Sequence, residues 1–556
     1  MIQRLSRLFL LSFLLPWSQS LHAGTSTTRA EANVPVEIEF VARNPHADPF
    51  NEVTLDVLFT DPAGKVHRVP AFWAGGAKWK ARYASASPGL HQWRSECNDS
   101  SDRGLHEVKG GVEVTRYRGS NPLYQHGPIR VAEDRHHLEH LDGTPFFWLG
   151  DTWWMALCSR LKWPHDFQLL TADRAKKGFT VIQIVAGLYP DMGEFDPRGS
   201  NEAGFPWTRD KSAINPAYFD MADRRIQHLA ENGLAPCVVG CWGYYLSNWS
   251  EQAMRKHWRY IVARWGAYPV IWCLAGEGTM PYYLSKDKEQ DIERQKRGWT
   301  EVGRYVHQID PFHRLVTIHP SSNSRDTVLD PTVLDFEMLQ TGHGDRASVP
   351  NTLRQVTGSQ TRTPAMPVID AEVCYEGILE ASREELQRLL FWACILDGAA
   401  GHTYGANGIW QLNTPEQPFG PSPHGRSWGD TPWTDAYRLP GSYQLGLNKT
   451  LLLRYEWWRF QPHPEWAEPH WSDKNYIQPY SAGIPGKVRM TYVPVSWDLP
   501  KLTHLEPGAP YRGSLFNPST GKETSLGNVT GDAQGEWQPP VPPIVRDWLI
   551  VLDRVD

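Results

Sequence analysis

Beyond its first two dozen residues this 556-residue chain has no apolar run long enough to cross a bilayer, which takes about 20 residues. It has no excess of positive charge either. Lys and Arg number 56 against 62 Asp and Glu, a formal charge of −6, so neither nucleic acid nor an anionic membrane surface is an expected partner. Cysteine is scarce, with 7 residues and no C-x-x-C pair. That odd, sparse set excludes a disulfide framework and a zinc ribbon, and leaves open a single disulfide among buried thiols. No Gly-rich phosphate loop, H-E-x-x-H spacing, repeat array or low-complexity linker occurs. What remains is a folded globular composition, with length for three to four domains at about 150 residues each. It also has 26 Trp beside 21 Tyr and 19 Phe. Indoles suit both cores and ligand platforms, and composition does not separate the two.

Met1–Ala23 carries Arg4 and Arg7, an apolar run Leu8–Trp17 and a polar stretch ending Leu21-His22-Ala23. This order reads as a signal peptide, with a membrane anchor or buried helix as the alternative. The expectation is a secreted or periplasmic protein with no membrane contact after the segment is removed.

Residues 31–117 alternate in short runs such as Val36–Val41 and Val53–Phe59, broken by Asp61-Pro62-Ala63-Gly64. They predict an immunoglobulin-like β-sandwich. From about residue 140 the pattern becomes apolar strands alternating with amphipathic helices. Eight strand candidates are Phe146–Leu149, Val181–Val185, Ala235–Val239, Val270–Leu274, Leu315–Ile318, Phe336–Leu339, Pro367–Ile369 and Gly401–Tyr404. Most are separated by helical stretches such as His165–Lys177, Pro216–Asn232, Ser250–Trp265, Asp291–Gln308 and Arg383–Leu396. The element between strands five and six is short. The fold class is α/β, a (β/α)8 TIM barrel over 130–460, with a doubly wound sheet as the alternative. Residues 466–556 return to short strands, Val488–Val493, Tyr511–Phe516 and Trp548–Leu552, and predict a smaller C-terminal β domain. The run Gln538–Pro543 is too rich in Pro for a central strand.

In such a barrel the chemistry sits at the C-terminal ends of the strands. Glu277 follows strand four and Glu372 follows strand seven, on nearly opposite sides of the mouth. Two carboxylates flanking a glycosidic bond are the equipment for hydrolysing it; the plainer reading of either is a solvated strand end. Asp151, after strand one, suits a substrate hydroxyl or a helix cap. Asp370 shares a face with Glu372 if the strand keeps its period of two, and reads as structural. His319, His343 and His402 end three strands and can gather around one centre, as hydrogen-bonding groups, core residues or, less suitably, metal ligands. Trp153, Trp242 and Trp410 lie in strand-end loops where a sugar can stack, whereas Trp148, Trp258, Trp265, Trp272 and Trp392 read as core. Tyr375 and Tyr404 complete the expected sugar site. Gly425-Arg426-Ser427-Trp428-Gly429 matches a nucleophile elbow in letters, without the strand and helix the elbow needs. No metal or cofactor is expected.

The run Asp142–Trp153, with Arg174–Phe179, Val270–Glu277, Gln340–His343, Asp370–Glu376 and Gly401–Trp410, resembles the apiosidase-like glycoside hydrolases over about 130–460. The flanks resemble that family's N-terminal immunoglobulin-like domain and its C-terminal collagen-binding-type β domain. The resemblance implies a retaining hydrolase of plant cell-wall pectin side chains, with Glu372 at the nucleophile position. The family's strand-four acid is usually Asp in Gly-Gly-Asp; here it is Glu277 in Ala-Gly-Glu, a departure that bears on the substrate. The expected partner is an oligo- or polysaccharide. The competing classes are a non-catalytic carbohydrate-binding or cell-surface protein that keeps the barrel, and a metal-dependent hydrolase.

Overall fold

The computed structural model describes residues 27–555; the expected signal segment 1–23 lies outside the described residues. At the N-terminal end a five-stranded sheet, in the order Thr27–Glu31, Lys109–Thr115, Gly89–Cys97, Leu55–Thr60 and Val66–Pro70, packs on a three-stranded one of Val36–Val41, Lys78–Tyr83 and Phe72–Gly75. Alternation places Leu55, Val57 and Phe59 on the inner face. Phe59 stacks on Tyr83 at 3.9 Å and Phe40 meets Trp93 edge-on at 5.7 Å. The strand Thr27–Glu31 precedes the expected start at 31. Its sequence TTRAE lacks apolar alternation, and its order comes from parallel pairing with Lys109–Thr115.

The central sheet holds eight parallel strands: Trp148–Thr152, Val181–Val185, Ala235–Val239, Ile271–Cys273, Val316–Thr317, Glu337–Gln340, Val368–Glu372 and Gly401–Tyr404. Numbered one to eight along the chain, they pair in the order 5-4-3-2-1-8-7-6. The barrel is nearly closed. At the seam between strands five and six, Asp335 N donates to Val316 O at 2.8 Å and Thr317 Oγ1 to Phe336 O at 3.0 Å. The strands are buried almost throughout, as in Val181–Val185, because helices cover a parallel sheet. The helix Glu251–Trp265 shows why these segments form. Ser250 Oγ caps it by accepting from Ala253 N at 3.0 Å, Glu251 sits in its first turn, and Met254, Trp258, Ile261 and Trp265 face the sheet. No α-helix connects strands five and six, only short 3-10 turns.

Two strands differ from expectation in ways that matter for the site. Strand one runs on through Thr152, because Gly150 and Asp151 keep pairing with Val181 and Ile182 on one side and Thr403 and Tyr404 on the other. Strand seven runs to Glu372, but its register against strand six shifts between Leu339 and Gln340. This bulge breaks the period of two.

At the C-terminal end Gln461–Pro462, Tyr480–Ile484, Val488–Val493, Trp548–Arg554, Tyr511–Phe516 and Glu523–Val529 form one antiparallel sheet. Tyr480, Met490, Tyr492 and Leu549 on it join the barrel core, and Arg388 of the barrel helix Glu384–Leu396 pairs with Asp547 at 2.6 Å. The N-terminal sheets keep their own core and dock through Arg82, whose Nη2 meets Asp223 at 2.6 Å. All seven cysteines are buried free thiols. No helix among the described residues is long and apolar enough to cross a membrane.

Candidate active site

A cleft of about 400 Å³ opens at the C-terminal ends of the strands, and both Glu277 and Glu372 line it. Strand four delivers the first. After Cys273 the chain stays extended, and Gly276 bridges to Trp242 at the end of strand three. A Cβ on Gly276 would stand 2.2 Å from the Trp242 ring, so only glycine lets the indole lie against this backbone. Glu277 follows at φ 41°, a left-handed conformation that costs a non-glycine residue about 1–3 kcal/mol. Its Oε2 accepts from Trp242 Nε1 at 3.2 Å and its Oε1 from Gln340 Nε2 at 3.1 Å.

The strand-seven bulge delivers the second. Its extra residue, Ala371, turns its carbonyl to Gln183 Nε2 at 3.1 Å, and Glu372 faces the cleft. Glu372 Oε1 meets His343 Nε2 at 2.8 Å and accepts from the same Gln340 Nε2 at 3.1 Å; Oε2 lies 3.4 Å from His319 Nε2. Tyr375 packs its ring on Gly405, where a Cβ would fall 2.0 Å from it. Its hydroxyl accepts from Trp154 Nε1 at 3.0 Å.

These surroundings split the two acids. Burial raises the Glu277 carboxyl, the negative charge of Glu372 adds to the shift, and its hydrogen bonds only partly offset them, so it is pushed up to about 7. Burial works upward on Glu372 as well, but the His343 hydrogen bond and the nearby His319 and His343 imidazoles overcome it and hold Glu372 below the usual carboxylate value. One carboxylate and one carboxylic acid near neutral pH is the arrangement acid–base chemistry needs.

Five expected residues gather here: Trp242, His343, Tyr375 and Trp410 line the cleft, and His319 is buried behind Glu372 against Trp154. Four others lie behind the strands, and for all of them the reason is parity. On strand one Gly150 and Thr152 point into the barrel, so Asp151 points out. It is fully buried, pairs with Arg174 Nε at 2.6 Å and accepts from Trp153 Nε1 at 2.8 Å. It therefore neither meets a sugar nor caps a helix. Trp153 is fully buried against Phe167. On strand eight Thr403 points in, so His402 and Tyr404 point out. His402 lies against Phe391, and Tyr404 donates to Glu376 beneath the Arg174 guanidinium. The three histidines therefore do not share a centre. Asp370 does not share a face with Glu372; it accepts from Cys394 Sγ at 3.3 Å. Among the described residues, Asp370, Cys394 and His402 form one group of metal-ligating type and His46, Asp99 and Asp102 another, and neither includes a cleft residue.

Trp154, Gln340, Asp191, Tyr283 and Trp428 also line the cleft and were not foreseen. The alternation of strand one carried two residues past Thr152 would have found Trp154. Gln340 sits beside the named His343, and only the bulge explains how it reaches both acids. Trp428 belongs to the Gly425–Gly429 run, which has neither a strand before it nor a helix after it; Arg426 stacks over its ring at 4.0 Å.

A family model described as apiosidase-like, catalytic domain, matches residues 132–459, and a domain of unknown function (DUF5060) matches 31–98. No curated protein matches the chain. Among solved structures, a glycoside hydrolase is 22% identical with TM-score 0.65, covering 78% of this chain and 98% of its own. A glycoside hydrolase family 5 structure from Bacteroides vulgatus ATCC 8482 is also 22% identical with TM-score 0.65, covering 79% and 95%. A further structure from the same bacterium, 16% identical with TM-score 0.69, covers 95% of this chain and all of its own. At these identities the likeness is one of fold.

Proposed function

The chain belongs to the apiosidase-like family and is a glycoside hydrolase, and from that premise we propose that it is a retaining enzyme with Glu372 as nucleophile and Glu277 as acid and then base. The observation that carries this reading is the placing of the two carboxyls in one cleft, bridged by Gln340 Nε2 at 3.1 Å to each and with His343 Nε2 2.8 Å from Glu372; the hydrogen bonding lowers Glu372 and burial raises Glu277 to about 7. A Glu372 oxygen attacks the anomeric carbon while the glycosidic C–O bond breaks. Glu277 gives its proton to the departing oxygen. A glycosyl ester on Glu372 results; Glu277, now a carboxylate, takes a proton from water, and the water oxygen displaces Glu372 from the anomeric carbon.

Gln340 supports retention. One amide nitrogen donates to an oxygen of each acid at 3.1 Å. Two such contacts keep the bridged oxygens within 6.2 Å of each other, short of the roughly 6.5–9.5 Å at which inverting pairs stand to admit a water. The aromatic lining of Trp154, Trp242, Trp410 and Trp428 suits sugar rings, whose C–H faces stack on indoles. Pectin side chains are the favoured substrate class, from the family likeness, and secretion rests on the character of residues 1–23. The test is hydrolysis of a panel of pectin and hemicellulose oligosaccharides by the parent, Glu372→Gln and Glu277→Gln, with the anomer of the first product read by NMR. Retained configuration and loss of turnover in both variants are expected. Inverted product, or variants as active as the parent, would sink the assignment.

A further inference from the structure

The cleft holds a third carboxylate that the hydrolytic pair does not use. Asp191 opens the long loop after barrel strand two, at φ 54°. Its Oδ1 accepts from the Tyr283 hydroxyl at 2.7 Å, and its backbone N–H donates back to that hydroxyl at 3.2 Å. Asp191 lines the cleft, and its Oδ2 accepts no hydrogen bond from the described residues. Burial pushes this carboxyl above its ordinary value, and the Tyr283 hydrogen bond opposes the shift.

The surroundings of Asp191 form a wall. The Tyr283 ring, from the loop after strand four, stacks on His424 from the loop after strand eight at 5.0 Å. Arg198, from the strand-two loop, donates to Phe419 O at 2.7 Å. Arg160, from the strand-one loop, donates to Gln411 O at 3.0 Å and Gln417 O at 2.7 Å. The loops after strands one, two, four and eight are thus tied to one another. Strands five and six supply only Gln340 and His343 to the lining. The cleft volume of about 400 Å³ is near the small end of ligand pockets, roughly 300–1,000 Å³.

We propose that Asp191 anchors a hydroxyl of the terminal sugar at the walled end of the cleft, so that the enzyme removes single sugars from a chain end rather than cutting within the chain. This rests on the hydrolase reading above. A chain threaded past Asp191 would have to part Tyr283 from His424, both of which line the cleft. A terminal ring stops there and gives a hydroxyl proton to Asp191 Oδ2 as a charge-assisted hydrogen bond.

The experiment uses whichever panel oligosaccharide the parent hydrolyses. Products are separated from the first few per cent of conversion, and the released monosaccharide is then used as a competitive inhibitor. A single monosaccharide is expected from the outset, with no intermediate oligosaccharides. Asp191→Ala should weaken both KM and the monosaccharide's inhibition constant by about tenfold to a hundredfold, with a smaller change in kcat. The isosteric Asp191→Asn keeps the test open if the alanine variant folds poorly, and should fall between the two. An early mixture of oligosaccharides, or an inhibition constant unmoved by both variants, overturns the proposal and leaves the hydrolase standing. A panel with no substrate at all overturns the hydrolase reading, and the anchor falls with it.

Discussion

Glu372 and Asp370 stand two residues apart on one barrel strand, yet the first meets the cleft and the second meets the helix Glu384–Leu396. Both are buried. Glu372 has His343 and Gln340 directed at it and sits below its ordinary pKa. Asp370 has only the weak donor Cys394, with Thr341 Oγ1 at 3.5 Å, and burial pushes it up to about 8. Strand one gives the outward counterpart in another form, Asp151 locked to Arg174. A carboxyl in a barrel strand is therefore defined by its face and its partners, not by its nearness in sequence to the reacting residue.

The comparison breaks first at Glu372. Glu372→Gln removes the proposed nucleophile and should lower kcat by about four orders of magnitude or more, whereas the same amide change at Asp370 should leave kcat within about twofold of the parent. Steady-state rates on one substrate decide it. Equal losses in both would mean that the two faces are not chemically distinct.

Glu277→Gln tests the acid half. The expected loss is about 10²–10⁴-fold, and it should be smallest for an aryl glycoside whose leaving group needs no proton. The pH profile carries the same information. Above about pH 7 the parent should lose activity as Glu277 gives up its proton; at low pH it should lose activity once Glu372, held below its ordinary value, is protonated. Glu277→Gln should lack the alkaline limb when assayed on the activated substrate, and an unchanged limb would remove Glu277 from the acid role.

Asp151→Asn tests the outward face of strand one. It takes the fully buried one of two carboxylates from the Arg174 guanidinium and leaves only Asp173, a change worth up to about 3–5 kcal/mol, visible in denaturant unfolding. Turnover per folded molecule should stay near the parent value. A large loss of turnover without loss of stability would put Asp151 back in the sugar site.

The strands, helices and flanking β regions were legible because burial writes them into the sequence with periods of 2 and 3.6. Val488–Val493 and Tyr511–Phe516 have the bounds their alternation predicts. Glu277 and Glu372 were legible too, because strand ends face the barrel mouth. What failed was phase. Asp151, Trp153, His402 and Tyr404 were read as strand-end residues although each lies an odd number of positions from an inward neighbour. The bulge at Ala371 leaves no mark in the letters, since it follows from pairing with Gln340. Gln340 ends strand six, Asp191 and Tyr283 come from two separate loops, and the three meet only in three dimensions.

Asp370→Asn is the smallest expected effect and the sharpest test of what the outward face does. In the folded protein this carboxyl keeps its proton until about pH 8, against 3.8 for an exposed aspartate. Between those values the unfolded chain has released a proton that the native state still holds, so the native state binds more protons and stability falls as pH rises. The contribution is whole below about pH 4 and is lost as pH climbs through 8. Asparagine cannot ionise, and its amide oxygen still accepts from Cys394. The variant should therefore melt near or below the parent at pH 5 and gain on it steadily to pH 8, with no further gain above. Thermal melts at pH 5, 6.5, 8 and 9 measure that gap directly. A gap that stays constant across the series would mean that Asp370 is ionised in the folded protein, and the contrast with Glu372 would then rest on geometry alone.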